Sequence, residues 1–254
     1  MTGRRLGLVL LVTVALMPIG TLALRAWAAA WPFPLLLPIS TAGAVLPAWP
    51  RLAKATVTGI ALALAVGAIS TPLAMLASRA LARASARMRA LGQALAFLPV
   101  VAPPVSLGIG AALVSTQLHV AGTWSGVMLT HLLPATGYAT LFLTAALDRY
   151  EFAAEDAART LGASPIDVIR RIVIPMLRPR ILEAFALAAL VSWGQLALTL
   201  LVGEGAVRTL PVELLAFVNS GDDRLGALSA LVLTLPPLAG FGLLQRATSR
   251  TGLV

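Results

Sequence analysis

Apolar residues in this chain fall into six long runs, at about 6–27, 55–78, 91–117, 124–147, 181–202 and 225–245, with short polar stretches between them. Each run holds roughly 20 residues or more. At about 1.5 Å rise per residue, a helix of that length crosses a hydrocarbon layer ~30 Å thick. The pattern predicts an all-α, polytopic membrane protein with about six transmembrane helices. Composition agrees: 59% of the 254 residues are hydrophobic and 11% are charged, against about a quarter charged in soluble domains. A chain this apolar could not cover its surface with polar groups in water.

The first run begins after Arg4 and Arg5 and resembles a signal peptide, with Ala26-Trp27-Ala28 as a loose cleavage site. Its apolar stretch from Leu6 to Leu24 is longer than a usual signal core, so it is read as a retained first span. Proline is frequent in the runs: Pro99, Pro103 and Pro104 in the third, Pro236 and Pro237 in the sixth. Each removes a helix hydrogen bond and bends the rod. In the third run this suits either a bent helix lining a path or simple packing irregularity. In the sixth, packing is preferred.

Charge sets the orientation. Of the 19 Lys and Arg residues, Arg25, Arg51, Lys54, Arg208 and Arg224 fall in alternate connections, and the rest fall in the other set with the two termini. Basic residues concentrate on the cytoplasmic side, which puts both termini inside. Trp27, Trp31, Trp49 and Trp124 then lie near the outer boundary, where indole rings prefer the headgroup level. The net charge of +9 is therefore read as an orientation signal. No stretch mixes basic and aromatic residues in a polar setting, so no nucleic-acid partner is expected. The chain has no cysteine, which excludes a disulfide framework, a thiolate metal site and a cysteine nucleophile.

The inner connection between the fourth and fifth runs, residues 148–180, is the most informative. Asp148 and Glu151 look like a capping-box start, and Glu155 and Arg159 form an i,i+4 pair. Gly162 is the expected left-handed stop. Ser164, Pro165 and Asp167 start a second helix, which Pro175 should end. Ala157 and Ala158 leave a small-residue patch beside two acidic side chains. Such a patch suits close approach by a partner, with the acids pairing to its Arg or Lys; a plain solvated loop would read the same way.

The same residues carry a resemblance. Asp156-Ala157-Ala158, three residues, Gly162, nine residues, Ile172, one residue, then Ile174-Pro175 resembles the cytoplasmic motif of bacterial ABC importer permeases. That motif runs Glu-Ala-Ala, three residues, Gly, nine residues, Ile, one residue, Leu-Pro. Asp156 stands for Glu and Ile174 for Leu, and neighbouring Glu155 can also take the acidic role. A second stretch, Ser192-Trp193-Gly194-Gln195-Leu196 with Thr199, Gly203 and Arg208-Thr209-Leu210-Pro211-Val212-Glu213, is similar to the group that includes thiamine, sulfate, molybdate, ferric-iron and polyamine importers. Members of that group often read Gly-Glu-Phe where this chain has Gly194-Gln195-Leu196. Together the two stretches carry the likeness over about residues 55–245.

The resemblance implies a type I ABC importer permease fold. It divides the chain into a first transmembrane helix with an outer loop (1–54), a permease core with five transmembrane helices (55–245) and a cytoplasmic tail (246–254). It implies docking of cytoplasmic ABC ATPase subunits at Glu155, Asp156, Ala157, Ala158, Gly162, Ile172, Ile174 and Pro175. It further implies a second permease subunit, of the same or a homologous chain, and an extracytoplasmic substrate-binding protein. Transport would proceed by alternating access across the bacterial inner membrane, for a small hydrophilic solute of the thiamine, polyamine, oxyanion or ferric-iron class. No Gly-rich phosphate loop of the Walker type is present, so ATPase activity belongs to a separate chain and no cofactor is expected here.

Polar residues within a span usually face protein or water. Ser192, Trp193, Gln195 and Thr199 are accordingly candidates for the substrate path, although Ser, Thr and Gln also bond helices together. Glu204, Glu213, Asp222 and Asp223 fall outside, either meeting the binding protein or simply solvated, and solvation is preferred. An intramembrane enzyme would need a cluster of nucleophile, base or metal ligands. Only His119 and His131 are available, twelve positions apart with no carboxylate between them, and a buried lone His is more often a hydrogen-bonded packing group. A channel or scaffold fits the composition but leaves the loop motif unexplained.

Overall fold

A computed structural model describes residues 2–31, 35–36, 40–41 and 48–249. The chain is built from helices: α1 (Thr2–Trp27), α2 (Trp49–Ala82), α3 (Ala86–Val101), α4 (Pro104–Gln117), α5 (Trp124–Leu147), α6 (Ala153–Thr160), α7 (Pro165–Val168), α8 (Ile174–Trp193), α9 (Ala197–Gly203), α10 (Leu210–Asn219) and α11 (Asp223–Ser249). A π-helical segment, Ile169–Val173, joins α7 to α8. Two short strands, Ala28–Ala30 and Ser40–Thr41, pair antiparallel after α1. Residues 32–34, 37–39 and 42–47 of the outer loop expected between the first two spans lie outside the described residues.

Among the described residues, α1 from Arg5, α2 and α5 are each long and apolar enough to cross a membrane. Two of the expected spans are broken instead of straight. The third is α3 plus α4, bent by 98°, and the fifth is α8 plus α9, bent by 59°. The prolines explain the first break. Pro103 precedes α4 and Pro104 opens it, where a missing N–H costs nothing and the fixed φ suits a helix start. α11 covers the sixth expected span and runs through Pro236 and Pro237 as one helix. The expected tail from 246 begins inside α11, and residues 250–254 lie outside the described residues.

The chain separates into two compact units. One comprises Met1–Gly59 with Arg208–Leu238, the other Ile60–Val207 with Ala239–Val254. The second unit holds both candidate sites. Its core joins Leu62 and Val66 of α2, Ala111 of α4, Ala135, Ala139 and Leu143 of α5, Ala184 and Ala188 of α8, and Leu198 and Val202 of α9. Alanine dominates because lipid offers helices no hydrophobic gain on association, so they pack through small residues that let backbones approach. Gly137 shows how close: a Cβ there would meet the Ala96 carbonyl oxygen at 2.5 Å. Polar contacts add to this, as in Thr136 Oγ1 of α5 donating to Ser70 Oγ of α2 at 3.1 Å.

A smaller core of Leu147, Val168, Val173 and Leu177 lies under the connection between α5 and α8, with Met75, Ala82, Phe152 and Ala163 packed on it. It fixes α6 and α7 against the ends of α2, α5 and α8. Arg89, near the start of α3, pairs with Asp148 at the end of α5. The starts and ends of helices that the charge rule assigns to one side therefore meet at this pair.

Candidate functional site

The first helix of the connection begins at Ala153, not at Asp148. Asp148 instead follows the last residue of α5 and holds helical dihedrals there. Its carboxylate is committed to Arg89, so it cannot cap a new helix. α6 stops as expected. Gly162 takes φ +86, its N–H donates to Arg159 O and the Ala163 N–H donates to Ala158 O, both at 3.0 Å. This is the Schellman arrangement, in which glycine carries the left-handed turn. Ser164 then caps α7, accepting from the Asp167 N–H at 3.2 Å.

Pro175 does not end the second helix. The π-helical segment intervenes, with Ile174 N–H bonded to Ile169 O, and Pro175 falls in the first turn of α8. Widening the ladder by one residue re-spaces the carbonyls that a proline ring would otherwise meet. The helical chain therefore continues from Pro165 to Trp193.

Glu155 is the anchor of α6. Its carboxylate is fully buried and receives Arg79 of α2 through two bonds, Nη1 to Oε1 at 2.8 Å and Nη2 to Oε2 at 2.7 Å. Arg83 reaches Oε2 at 3.3 Å and Arg159 at 3.2 Å. A forked guanidinium on a carboxylate is the strongest such pairing. The Arg79 bonds, which outweigh the cost of burial, hold the Glu155 carboxyl below its ordinary range. Burial first, and then the Glu155 carboxylate, push the nearby Tyr150 hydroxyl up to about 12. Arg83 also lies over the Phe152 ring at 4.8 Å, and Phe152 meets Tyr150 edge-on.

Glu155 is thus used within the chain and is not free to pair with a partner's Arg or Lys, as the sequence reading had it. Asp156 is the exposed acid, 3.1 Å from Arg159 and 3.7 Å from Arg83. Ala157, Ile174 and Pro175 are exposed, while Ala158 and Ile172 are half-buried. Sequence reasoning missed two apolar side chains flanking the Gly162 turn, Leu161 at 88% and Ile166 at 63% exposure. It also missed Arg79 and Arg83, which lie about 75 residues before their partner. Only the basic run itself signalled them.

The second candidate set surrounds the break between α8 and α9, where Gly194, Gln195 and Leu196 interrupt the helix. Ser192, Trp193 and Thr199 are buried and Gln195 is half-buried. His131 of α5, also fully buried, lies between the two arms. Its Nδ1 is 2.9 Å from Ser192 Oγ and its Nε2 is 3.0 Å from Thr199 Oγ1. Ser192 and Thr199 therefore bind helices together, and Gln195 is the more accessible polar side chain at the break.

The four acids assigned to the outer connections divide. Glu204 is exposed and left-handed. Asp223 pairs with Arg25 at 3.0 Å, and Asp222 accepts the Leu225 N–H at 3.0 Å. Glu213 is not solvated. It is buried in the first turn of α10 and bonded to Arg51, with Arg208 at 3.6 Å.

Residues 70–250 match the family described as binding-protein-dependent transport system inner membrane component. The chain belongs to this family. The family is that of membrane permease components of ABC transporters, in which the ATPase is a separate subunit. Similar proteins include a permease protein of Salmonella typhimurium assigned to 2-aminoethylphosphonate transport, 30% identical over 158 residues, 61% of this chain and 60% of that one. The putrescine transport system permease protein PotI of Escherichia coli is 29% identical over 150 residues, 56% and 53% of the two chains. The trehalose transport system permease protein SugB of Mycobacterium tuberculosis is 27% identical over 190 residues, 71% and 69%. The match thus spans under two thirds of the length of the first two relatives. Among solved structures, one titled for inward-facing conformations of the MetNI methionine ABC transporter superposes with a TM-score of 0.63. It covers 80% of this chain and 99% of that one at 14% identity. This likeness supports the type I permease fold read from the motif.

Proposed function

We propose that this chain is the permease subunit of an ATP-driven importer, and that α6, α7 and the Gly162 turn dock onto a partner ATPase. The observation that carries this reading is the exposure of Leu161 and Ile166 on an otherwise charged loop. Large apolar side chains displayed beside polar ones mark a surface that another protein covers. Asp156 and Ala157 lie exposed on the same short helix, offering an acid and a close-approach point. Glu155 has a different role: through Arg79 it ties α6 to α2, so a push on the corner would reach the spans. ATP closing the ATPase dimer would supply that push and drive alternating access.

The substrate reading stays broad. The relatives are named for an aminophosphonate, a diamine and a disaccharide, which share small size and hydrophilicity and no common charge. We assign a small hydrophilic solute, delivered by an extracytoplasmic binding protein across the bacterial inner membrane, with both termini cytoplasmic. A second permease, identical or homologous, completes the path, and Gln195 is the residue we assign to its wall. The test is co-purification of an ABC ATPase with this chain from detergent-solubilised membranes of its own source. Leu161→Asp should abolish it and leave the permease folded in the membrane. Retention of the ATPase by that variant would overturn the docking surface.

A further inference from the structure

A helix broken inside a bilayer has backbone groups that no water can satisfy, so side chains or neighbouring helices must satisfy them. At the α8–α9 break that duty falls on a short relay. Thr199 Oγ1 donates to the Gln195 carbonyl oxygen at 2.9 Å. The same hydroxyl oxygen lies 3.0 Å from His131 Nε2, and Ser192 Oγ lies 2.9 Å from His131 Nδ1. Ser192 belongs to the last turn of α8 and Thr199 to the first turn of α9. One rigid ring therefore holds one group on each side of the break.

One arrangement of protons satisfies every contact in this relay. Thr199 has a single hydroxyl hydrogen, and the Gln195 carbonyl takes it. Toward His131 the Thr199 oxygen can only accept, so Nε2 carries the ring proton. A neutral ring then leaves Nδ1 as an acceptor, and Ser192 donates to it. Every donor and acceptor in the relay is matched, and the ring is held on two sides by α8 and α9.

We propose that His131, as its Nε2–H tautomer, is a positioning residue that clamps the two arms of the α8–α9 break and thereby fixes where Gln195 presents its side chain. The consequence for transport rests on the reading of Gln195 as a path residue; the clamp itself does not. Asparagine or glutamine at position 131 could replace part of the relay. Glutamine reaches as far as Nε2 and offers a donor to Thr199, whereas alanine offers nothing.

The absence of cysteine from the chain allows a direct experiment on the full-length protein in membranes. Hydrogen exchange of the amides from Gly194 to Leu200 is compared in the native chain, in His131→Ala and in His131→Gln. Loss of two interhelical bonds should speed exchange about tenfold in His131→Ala. His131→Gln should recover most of the protection, and α4 should stay unchanged in both. In parallel, Gln195→Cys is labelled with a membrane-impermeant thiol reagent with and without His131→Ala, and the rate should shift about fivefold or more. Unchanged exchange at the break in His131→Ala would overturn the clamp. So would failure of His131→Gln to protect better than His131→Ala. If Gln195→Cys resists the reagent throughout, the path reading is what fails, and the exchange comparison still decides the clamp.

Discussion

Glu155 and His131 are both fully buried, and each ties together elements far apart in the chain. Glu155 does it with charge. Three guanidiniums converge on one carboxylate, leaving a surplus of positive charge that Asp156 only partly offsets. The surplus is tolerable because Arg83 and Arg159 remain 44% and 39% exposed, so water keeps solvating their outer faces. His131 does it without charge. Its partners are two hydroxyls, and its surroundings are the alanine-rich core of α5, α8 and α9. An ion there would lose its hydration with no aqueous face to restore it. The loop proposed to dock a partner is thus held by strong, long-reaching charge pairs. The break inside the spans is held by weak, directional bonds that fix geometry.

The sharpest way to break this comparison is to cut the forked pair. Arg79→Ala leaves the Glu155 carboxylate buried with the longer Arg83 and Arg159 contacts and the nearby Tyr150 hydroxyl. Removing one partner of a buried ion pair costs about 3 kcal/mol or more. Hydrogen exchange across Ala153–Thr160 should report α6 loosening by that amount. Arg83→Ala and Arg159→Ala should each cost under about 1 kcal/mol, because their partly exposed guanidiniums gain little. If the three variants behave alike, the anchor is a diffuse charge cloud and not a fork on α2.

The loop was legible in the sequence because its signals are local. Gly162, Ser164, Pro165 and Asp167 act within a few residues of themselves, and the structure places the turn and the cap where the rules put them. Asp148 and Pro175 misled for one shared reason: a partner elsewhere altered the local rule. Arg89 took the carboxylate, and a π-helical turn made room for the proline ring. The contacts that matter most span long separations. Neither the link from Arg79 to Glu155 nor the link from His131 to Ser192 and Thr199 leaves a periodic trace. A sequence shows that a buried histidine needs a partner, but not which hydroxyl will be near it. The apolar runs predicted six membrane segments; among the described residues three helices are long and apolar enough to cross, or five if each bent pair is one span, and the 98° and 59° bends depend on how packing resolves each break.

Gly162 gives the next largest effect. Its φ of +86 suits glycine, and nothing lies within 4 Å of a Cβ built there. A substitution there meets only backbone strain. Gly162→Val should cost about 1–2 kcal/mol, and Gly162→Asn, which tolerates the left-handed region, should cost less. The readout is again exchange in α6, together with ATPase stimulation in the assembled importer. Normal coupling in Gly162→Val would separate the turn from transmission and leave the Glu155 anchor as its only route.

Acid titrates one side of the comparison. The Arg79 bonds lower the folded-state pKa of Glu155, so its contribution is fully present above the unfolded carboxylate value of about 4.3. It is lost as pH falls through the lowered folded value. α6 protection should therefore be flat from neutral pH down to that range and decline only below it. Glu155→Gln should start lower and remain flat over the same range. A decline already visible near pH 6 would mean that another group governs the docking of α6.

Ser192→Ala should have the smallest effect. It deletes the donor to His131 Nδ1 and leaves the bonds from Nε2 to Thr199 and from Thr199 to the Gln195 carbonyl in place. Interhelical hydrogen bonds of this kind contribute about 0.6 kcal/mol on average, because the separated helices also find partners in the membrane. Exchange at the break should speed by only about threefold. Thr199→Val should cost more, since it strands both the ring N–H and the Gln195 carbonyl. That ordering follows from the proton assignment and not from burial, because both residues are buried. Were Ser192→Ala the more damaging of the two, the ring proton would have to sit on Nδ1, and the break would be held chiefly from the α8 side.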